Sequence, residues 1–272
     1  MADPTFDRAR FAQRLATRRL GRHLIARAEV ESTNDTAWEA LAAGAADGTA
    51  VVADVQTRGR GRAGRAWHTA PGRGLALSVL LHQGCDRRQL GVLPLAAGLA
   101  LARGLERLGV RAGLKWPNDL LLDGRKLAGV LCESRRLPSP AGGAGEAAVI
   151  GVGVNVAQRA EDFPAELASS ATSLALAGHA AGREEVAAEF LNALEPLWDE
   201  LQEGARSRLL EAWSARAAFW GMPVTVRTPA GPLTGTARRL DDDGALVLAL
   251  ESGVERAVLA GDVEPAGAPE ER

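Results

Sequence analysis

Apolar and polar positions follow two periods along this chain, and each change of period marks an element. Phe6, Phe11 and Leu15 fall on one side of a helix predicted over residues 5–19, after which RHLIARAEV alternates as a strand. ESTNDTAWEALAAG opens a second helix, with Ser32, Thr33 and Asn34 all good N-cap types and Gly44 its stop. GTAVVADVQT and GLALSVLL read as buried strands flanking an arginine-rich loop. GVLPLAAGLALARGLERLG, residues 91–109, is a helix apolar over most of its circumference, which places it in the core or at a homodimer contact. AGLKWPNDLLLDGRKLAGVLCES reads as strand, proline turn, strand, Asp-Gly hairpin and strand, and EAAVIGVGVNV as one more strand. Residues 157–183 are loop-rich, and EEVAAEFLNALEPLWDELQEG and RSRLLEAWSARAAFWG are helices. From Met222 the texture becomes short strands broken by Gly, Pro and Asp turns, the pattern of a small β-barrel. The expected fold class is α+β: a mixed-sheet domain over 1–221, a small β domain over 222–266 and a tail at 267–272. No internal repeat is evident.

Composition narrows the functional classes. A net charge of −2 makes any basic cluster local, whereas a nucleic-acid binder usually carries a basic excess across a whole domain. Two cysteines, Cys85 and Cys132, are too few for a disulfide framework, and with no apolar run of membrane length and no signal peptide the expectation is a cytoplasmic protein. Thirty of the 32 basic residues are arginine; the two lysines, Lys115 and Lys126, lie eleven residues apart in one turn-rich segment. Arginine keeps its proton and presents a planar fork, whereas lysine is a compact charge on a flexible stem. A chain that uses arginine for surface charge and keeps lysine here points to a requirement for lysine.

QTRGRGRAGRAW poses the sharper question, with four arginines and three glycines between Arg58 and Arg65. Gly59, Gly61 and Gly64 spell G-x-G-x-x-G, but no helix follows, since Pro71, Gly72 and Gly74 intervene, and the first acid downstream is Asp86. Arg with Trp67 would suit a phosphate and a stacked base, although the neutral overall charge argues against nucleic acid. A solvated basic loop leaves the glycines unexplained. A fourth reading accounts for both residue types: a glycine-rich loop is costly to order, and an anionic ligand would supply the compensating charge-assisted hydrogen bonds. Closure would then keep water from a hydrolysable acyl phosphate.

ESTN, QTRGRGRAGRAW, KWPNDLLL, GRKLAGVLCES and GVGVNV occur in this order and spacing, and together they resemble the biotin protein ligases over about Val30 to Val263. With only 30 residues ahead of ESTN, the resemblance is to the type without a DNA-binding module, and no DNA partner is expected. It implies a biotin/lipoate ligase-type catalytic domain with an SH3-like C-terminal barrel. It also implies a two-step reaction, in which biotin and ATP give biotinyl-5′-AMP and a lysine of a biotin carboxyl carrier domain then takes the biotinyl group. By resemblance Ser32, Thr33, Asn34 and Gln56 line the biotin pocket. Arg60, Gly61 and Arg62 belong to the loop closing over ligand and adenylate phosphate, and Lys126 bridges the biotin carboxylate and the α-phosphate. Lys126, Arg60 and Arg62 are thus the catalytic candidates. Arg62, Arg65, Trp67, Lys115, Asn118, Asp119 and Asn155 are assigned to ATP, with Asp119 the candidate for Mg²⁺ or for orienting the incoming lysine. Trp67 and Trp116 suit a core equally well, and Asn118-Asp119 after proline is also ordinary turn chemistry. Two departures stand out: Ala63 replaces a further arginine, and residues 158–173, expected over the adenosine, contain no tryptophan. Lipoate ligases adenylate too and are the nearer rival; the polar pocket residues suit a ureido bicycle better than a dithiolane.

Overall fold

The computed structural model describes residues 5–138 and 144–266, so the expected tail at 267–272 lies outside the described residues. In chain order the elements are α1 (Arg8–Arg14), β1 (Leu24–Val30), α2 (Thr33–Ala42), β2 (Ala50–Gln56), β3 (Gly74–Leu81), α3 (Arg87–Leu90), α4 (Leu93–Arg107), β4 (Gly113–Lys115), β5 (Asp119–Leu122), β6 (Arg125–Pro138) and β7 (Ala144–Asn155). There follow α5 (Arg183–Gln202), α6 (Arg206–Ser214), β8 (Pro223–Thr228), β9 (Gly231–Leu240), β10 (Leu246–Ala249), β11 (Glu255–Val258) and β12 (Asp262–Pro265). The first seven strands form one mixed sheet in the order β1-β2-β3-β7-β6-β5-β4, parallel only between β1 and β2. The last five form an antiparallel sheet in the order β11-β10-β9-β8-β12.

Every residue of β3 is buried, which is why its sequence is an apolar run instead of an alternation. Both faces of the sheet are covered. Val51, Leu80 and Val149 pack with Ala37 and Trp38 of α2, while their neighbours Val52, Val79 and Ile150 belong to the large core with α4 and α5. Period-two side-chain alternation thus assigns each strand residue to one of two helical layers.

Two elements are shorter than their periodicity suggested. α1 spans only Arg8–Arg14 because the Asp7 carboxylate accepts from the Ala9 and Arg10 N–H groups and starts the helix there; Phe6 and Leu15 are nevertheless buried beside Phe11. α6 stops at Ser214, and the following turn brings Phe219 and Trp220 against Trp213 at centroid distances of 6.4 and 6.3 Å. Both cysteines are unpaired, and burial pushes the Cys85 thiol up to about 11 and the Cys132 thiol upward as well. Among the described residues no helix is long and apolar enough to cross a membrane.

The apolar circumference of α4 is used inside the chain, against α5. Gly104 sits at their closest approach, where a Cβ would lie 2.8 Å from the Glu189 backbone carbonyl. Gly104→Ala is therefore expected to separate the helices and destabilise the fold by about 1–3 kcal/mol, seen as a lower melting temperature in a circular-dichroism scan. An unchanged melting temperature would show that this helix pair is not tightly seated.

Candidate active site

The sheet delivers α2, the C-terminal end of β2 and the β6–β7 ladder to one place. At the N-terminus of α2, Ser32, Thr33 and Asn34 are buried at 3–4 % exposure. Ser32 stands at the N-cap but its hydroxyl does not cap the helix. The cap is supplied from another strand, since Gln56 Oε1 accepts from the Thr33 N–H at 2.9 Å and lies 3.0 Å from Thr33 Oγ1. Behind them Ser78 of β3, fully buried, has its Oγ 2.8 Å from Thr33 Oγ1 and 2.6 Å from Asn34 Oδ1. Asn34 Nδ2 points to the Leu131 carbonyl at 3.4 Å. The three N-cap types of the sequence therefore form a fixed polar floor, and Ser78, hidden inside an apolar run, completes it.

The arginine loop is a tight hairpin. Gly61 N–H donates to the Arg65 carbonyl at 2.6 Å, and Trp67 N–H donates to the Gly59 carbonyl at 2.9 Å. A Cβ on Gly59 would sit 2.5 Å from the Trp67 carbonyl, so this glycine serves close approach of two backbones. Its arginines are paired with carboxylates of the protein itself, where the sequence had suggested a ligand as the compensating anion. Arg58 meets Glu31 at 3.0 Å. Arg60 forks onto both oxygens of Asp35 at 2.5 and 2.8 Å and reaches Glu133 Oε1 at 2.9 Å. Glu133 also accepts from Trp38 Nε1 at 2.8 Å. Arg65 Nη2 donates to both oxygens of Asp262 of β12 at 2.8 and 2.9 Å, and Arg62 donates to Asn118 Oδ1 at 3.0 Å and to the Gly261 carbonyl at 3.3 Å. Burial weakens the hold of Arg62 on its proton, with Asp262 and Asp119 opposing that effect.

Lys126 starts β6, and its ammonium lies 2.8 Å from Asp119 Oδ1 as an ion pair without hydrogen-bond alignment. The Trp67 ring is the second neighbour, 5.9 Å from the ammonium. Trp67 lies across the β6–β7 ladder where Gly129 and Gly153 face each other, and a Cβ on Gly153 would fall 2.2 Å from its ring. One ladder step on, a Cβ on Gly151 would fall 2.3 Å from Asn34 Oδ1. The glycines of GVGVNV are thus the seats of two site side chains. Asn155 closes the far end, donating to the Lys126 carbonyl at 3.5 Å and accepting from Gln158 at 3.0 Å.

All of the residues singled out from the sequence, including Lys115, line a single cavity of about 940 Å³. That is the upper end of the range for ligand pockets and ample for two small molecules side by side. Its lining joins the polar floor to apolar side chains, among them Phe163 and Leu167 from the loop-rich stretch and Phe219, Met222 and Val263. Trp116 also borders it but is 2 % exposed and bonded to the Gly244 carbonyl, as a core tryptophan would be. The sequence reading did not single out Ser78, the carboxylates Asp35, Glu133 and Asp262, or the aromatic Phe163. The carboxylates lie far from the arginines in sequence and carry no local signal.

Residues 26–155 match the biotin/lipoate A/B protein ligase family, and residues 219–264 match the biotin protein ligase C-terminal domain. The chain is 37 % identical over 250 residues to the biotin–[acetyl-CoA-carboxylase] ligase of Mycobacterium tuberculosis, spanning 89 % of this chain and 88 % of that protein. Its structure resembles the Aquifex aeolicus biotin protein ligase solved with biotin and ATP, with a TM-score of 0.73, 30 % identity, and 89 % of this chain and 98 % of that one covered. The Leishmania major biotin protein ligase solved with biotinyl-5-AMP matches with a TM-score of 0.58, 25 % identity, and coverage of 88 % and 99 %.

The carboxylates around Arg60 set a pH limit. Hydrogen bonding to Arg60 holds Asp35 below its ordinary 3.8, and for Glu133 the bonds from Trp38, Arg60 and Asn34 outweigh burial and hold it below 4.5. Groups whose folded pKa is depressed stabilise the fold above their ordinary values and lose that contribution as pH falls through the lowered ones. Amide protection in residues 59–67, followed by hydrogen exchange, should therefore be independent of pH between neutrality and about pH 5 and decline below about pH 4. Protection that persists unchanged at pH 2 would show that the loop does not depend on this pair.

Proposed function

The chain belongs to the biotin protein ligase family, and from that premise we propose that the cavity activates biotin with ATP and passes the biotinyl group to a carrier-domain lysine. The biotin carboxylate attacks the α-phosphorus of ATP, forming a P–O bond as pyrophosphate leaves, and gives biotinyl-5′-AMP. A neutral lysine amine of a biotin carboxyl carrier domain then attacks the activated carbonyl, and AMP leaves. The observation that carries this reading is the placement of Lys126, Arg62 and the polar floor around one cavity.

In this reading Ser32, Thr33, Asn34 and Gln56 hold the ureido ring. The first step brings two anions together, and positive charge fixed where they meet stabilises it without reorganisation. Lys126 occupies that point between carboxylate and α-phosphate, with Asp119 keeping its ammonium in place. Arg62 and Arg65 face the phosphates, and Lys115, Asn118, Asn155 and the Trp67 indole complete the nucleotide lobe. Arg60, forked onto Asp35 and Glu133, acts by anchoring the loop, which leaves the Gly61 backbone to face the ligand. Phe163 offers the aromatic face for adenine that no tryptophan supplies. Magnesium fits as a companion of the triphosphate: no group of three or more His, Cys, Asp or Glu is gathered among the described residues, and Asp119 offers one carboxylate. Asp119 is the residue that would hold it, and what Mg²⁺ would supply when bound is neutralisation of phosphate charge. Residues 1–221 carry the chemistry, while the β8–β12 domain contributes Asp262 and an apolar wall. A reducing, ATP-rich cytoplasm suits both free thiols and co-substrate.

Incubation with ATP and either biotin or lipoate, with the acyl-adenylate trapped by mass spectrometry, tests the reading; adenylate from lipoate alone would refute it. Lys126→Ala should lower adenylate formation about 10²–10³-fold with the fold intact, as loss of a fixed transition-state charge contact does. Wild-type yield would remove Lys126 from the chemistry. Arg62→Gly should speed the escape of adenylate about ten- to a hundredfold, the effect of one lost charge-assisted hydrogen bond. An unchanged off-rate would count against a closing loop.

A further inference from the structure

Ser78 belongs to no motif that marked the site, lies outside the cavity wall and is fully buried, yet it touches two of the residues that hold the ligand. Its hydroxyl has one proton to give and lone pairs to receive one. Asn34 Oδ1 can only accept, and Ser78 is its partner at 2.6 Å. The reverse amide orientation is disfavoured because it would turn Oδ1 toward the Leu131 carbonyl, which now faces Nδ2 at 3.4 Å. The Ser78 proton is therefore committed to Asn34. That leaves Ser78 Oγ and Thr33 Oγ1, 2.8 Å apart, with only the Thr33 proton to place between them. Gln56 Oε1, which has two lone pairs, takes the Thr33 N–H at 2.9 Å and lies 3.0 Å from Thr33 Oγ1, so the Thr33 proton has two acceptors within reach, Ser78 and Gln56. Ser78 is the nearer of the two at 2.8 Å and is fully buried, so an unbridged contact of two lone pairs is the more repulsive there, and the proton runs from Thr33 to Ser78 and from Ser78 to Asn34.

We propose that Ser78 is a positioning residue that sets the polarity of the acid-binding end of the cavity, an inference that rests on the biotin-ligase reading. With its proton drawn back toward Ser78, Thr33 Oγ1 offers the cavity lone pairs alone. Gln56, with Oε1 held by the Thr33 N–H, has only a 3.5 Å contact from Nε2 to Thr69 and turns N–H donors to the cavity. An acceptor beside a donor is the complement of a cyclic urea, whose N–H donates and whose C=O accepts. A dithiolane makes neither bond and would leave both groups unpaired, so the relay selects for a ureido acid over a lipoyl acid. Removing Ser78 leaves Asn34 Oδ1 without its donor and the Thr33 hydroxyl free to turn to Gln56 or to the cavity, and the fixed pattern is lost.

The test is a steady-state pyrophosphate-release assay with ATP and biotin, or ATP and lipoate, on the wild type, Ser78→Ala and Ser78→Cys. The expected result for Ser78→Ala is a KM for biotin raised about tenfold, with KM for ATP and kcat within about twofold and a smaller preference for biotin over lipoate. Ser78→Cys restores bulk but is a poor donor, and should behave like Ser78→Ala. A biotin KM within twofold of wild type in Ser78→Ala overturns the proposal. So does an equal rise in the KM for ATP, or full rescue by Cys, either of which would make Ser78 a packing residue. Wild-type protein that releases no pyrophosphate with biotin would defeat the functional reading instead, and the two failures are therefore separable.

Discussion

The fork of Arg60 onto Asp35, with Glu133 closing the third side, is the interaction on which the cavity depends. A site that gathers cations for anionic ligands has to hold those cations in register against mutual repulsion. A loop of alternating glycines does little of this through its side chains. Here α2 and β6 supply the carboxylates, so the loop is anchored to the helix that carries Thr33 and Asn34 and to the strand whose Leu131 carbonyl faces the Asn34 amide. Arg60 thereby links the charge of the loop to the position of Thr33 and Asn34. Exposed ion pairs are individually weak, but a bidentate arginine on two half-buried acids, one of them also bonded to the Trp38 indole, is a network with defined geometry.

Space in the site is created by what the sheet leaves out. At Gly151 and Gly153 the β7 strand carries no side chain on the cavity side, and Asn34 and the Trp67 ring occupy that room. At Gly129, across the ladder from Gly153, an added Cβ would meet Lys126, Trp67 and Asp119 at 3.4–3.5 Å. Flat stretches of backbone let an indole and an amide lie against the sheet. The apolar layers beneath, packed on α4 and α5, keep that surface rigid. Precision in the polar groups thus comes from β-strand registry, which loops alone would not provide.

Much of this was legible in the sequence because its signals are local. Period-two runs, the Asp-Gly hairpin and the glycine and proline turns gave the strands near their observed limits, and five short motifs in register gave a family with a known architecture. The candidate residues came from those motifs, and the fold brings them to one cavity. What stayed hidden is non-local. Asp262 lies some two hundred residues from Arg65 and belongs to a different sheet, and Ser78 reads as one more position in a buried strand. The periodicity runs past the true ends of α1 and α6 because apolar residues continue at helical spacing there, with Phe6 and Leu15 buried and Phe219 half-buried in non-helical chain.

The pairing of Arg65 and Arg62 with the β12 end of the C-terminal sheet bears on how the two parts work together. Asp262 stands where a phosphate-binding arginine fork would otherwise face the cavity, and a carboxylate and a phosphate compete for the same planar donors. A triphosphate entering that lobe has two ways to gain those donors: it shares the fork with Asp262 or displaces it. Sharing is disfavoured, because it would set the carboxylate against phosphate oxygens in a partly buried cleft. Displacement would break the Arg65–Asp262 pair while nucleotide took over the charge it neutralised, leaving the Arg62 bond to the Gly261 carbonyl as the remaining tie to the loop. If nucleotide binds as proposed, the small sheet is coupled to occupancy of the site through the Asp262 carboxylate, which would give its presence beside the larger sheet a chemical reason beyond walling the cavity.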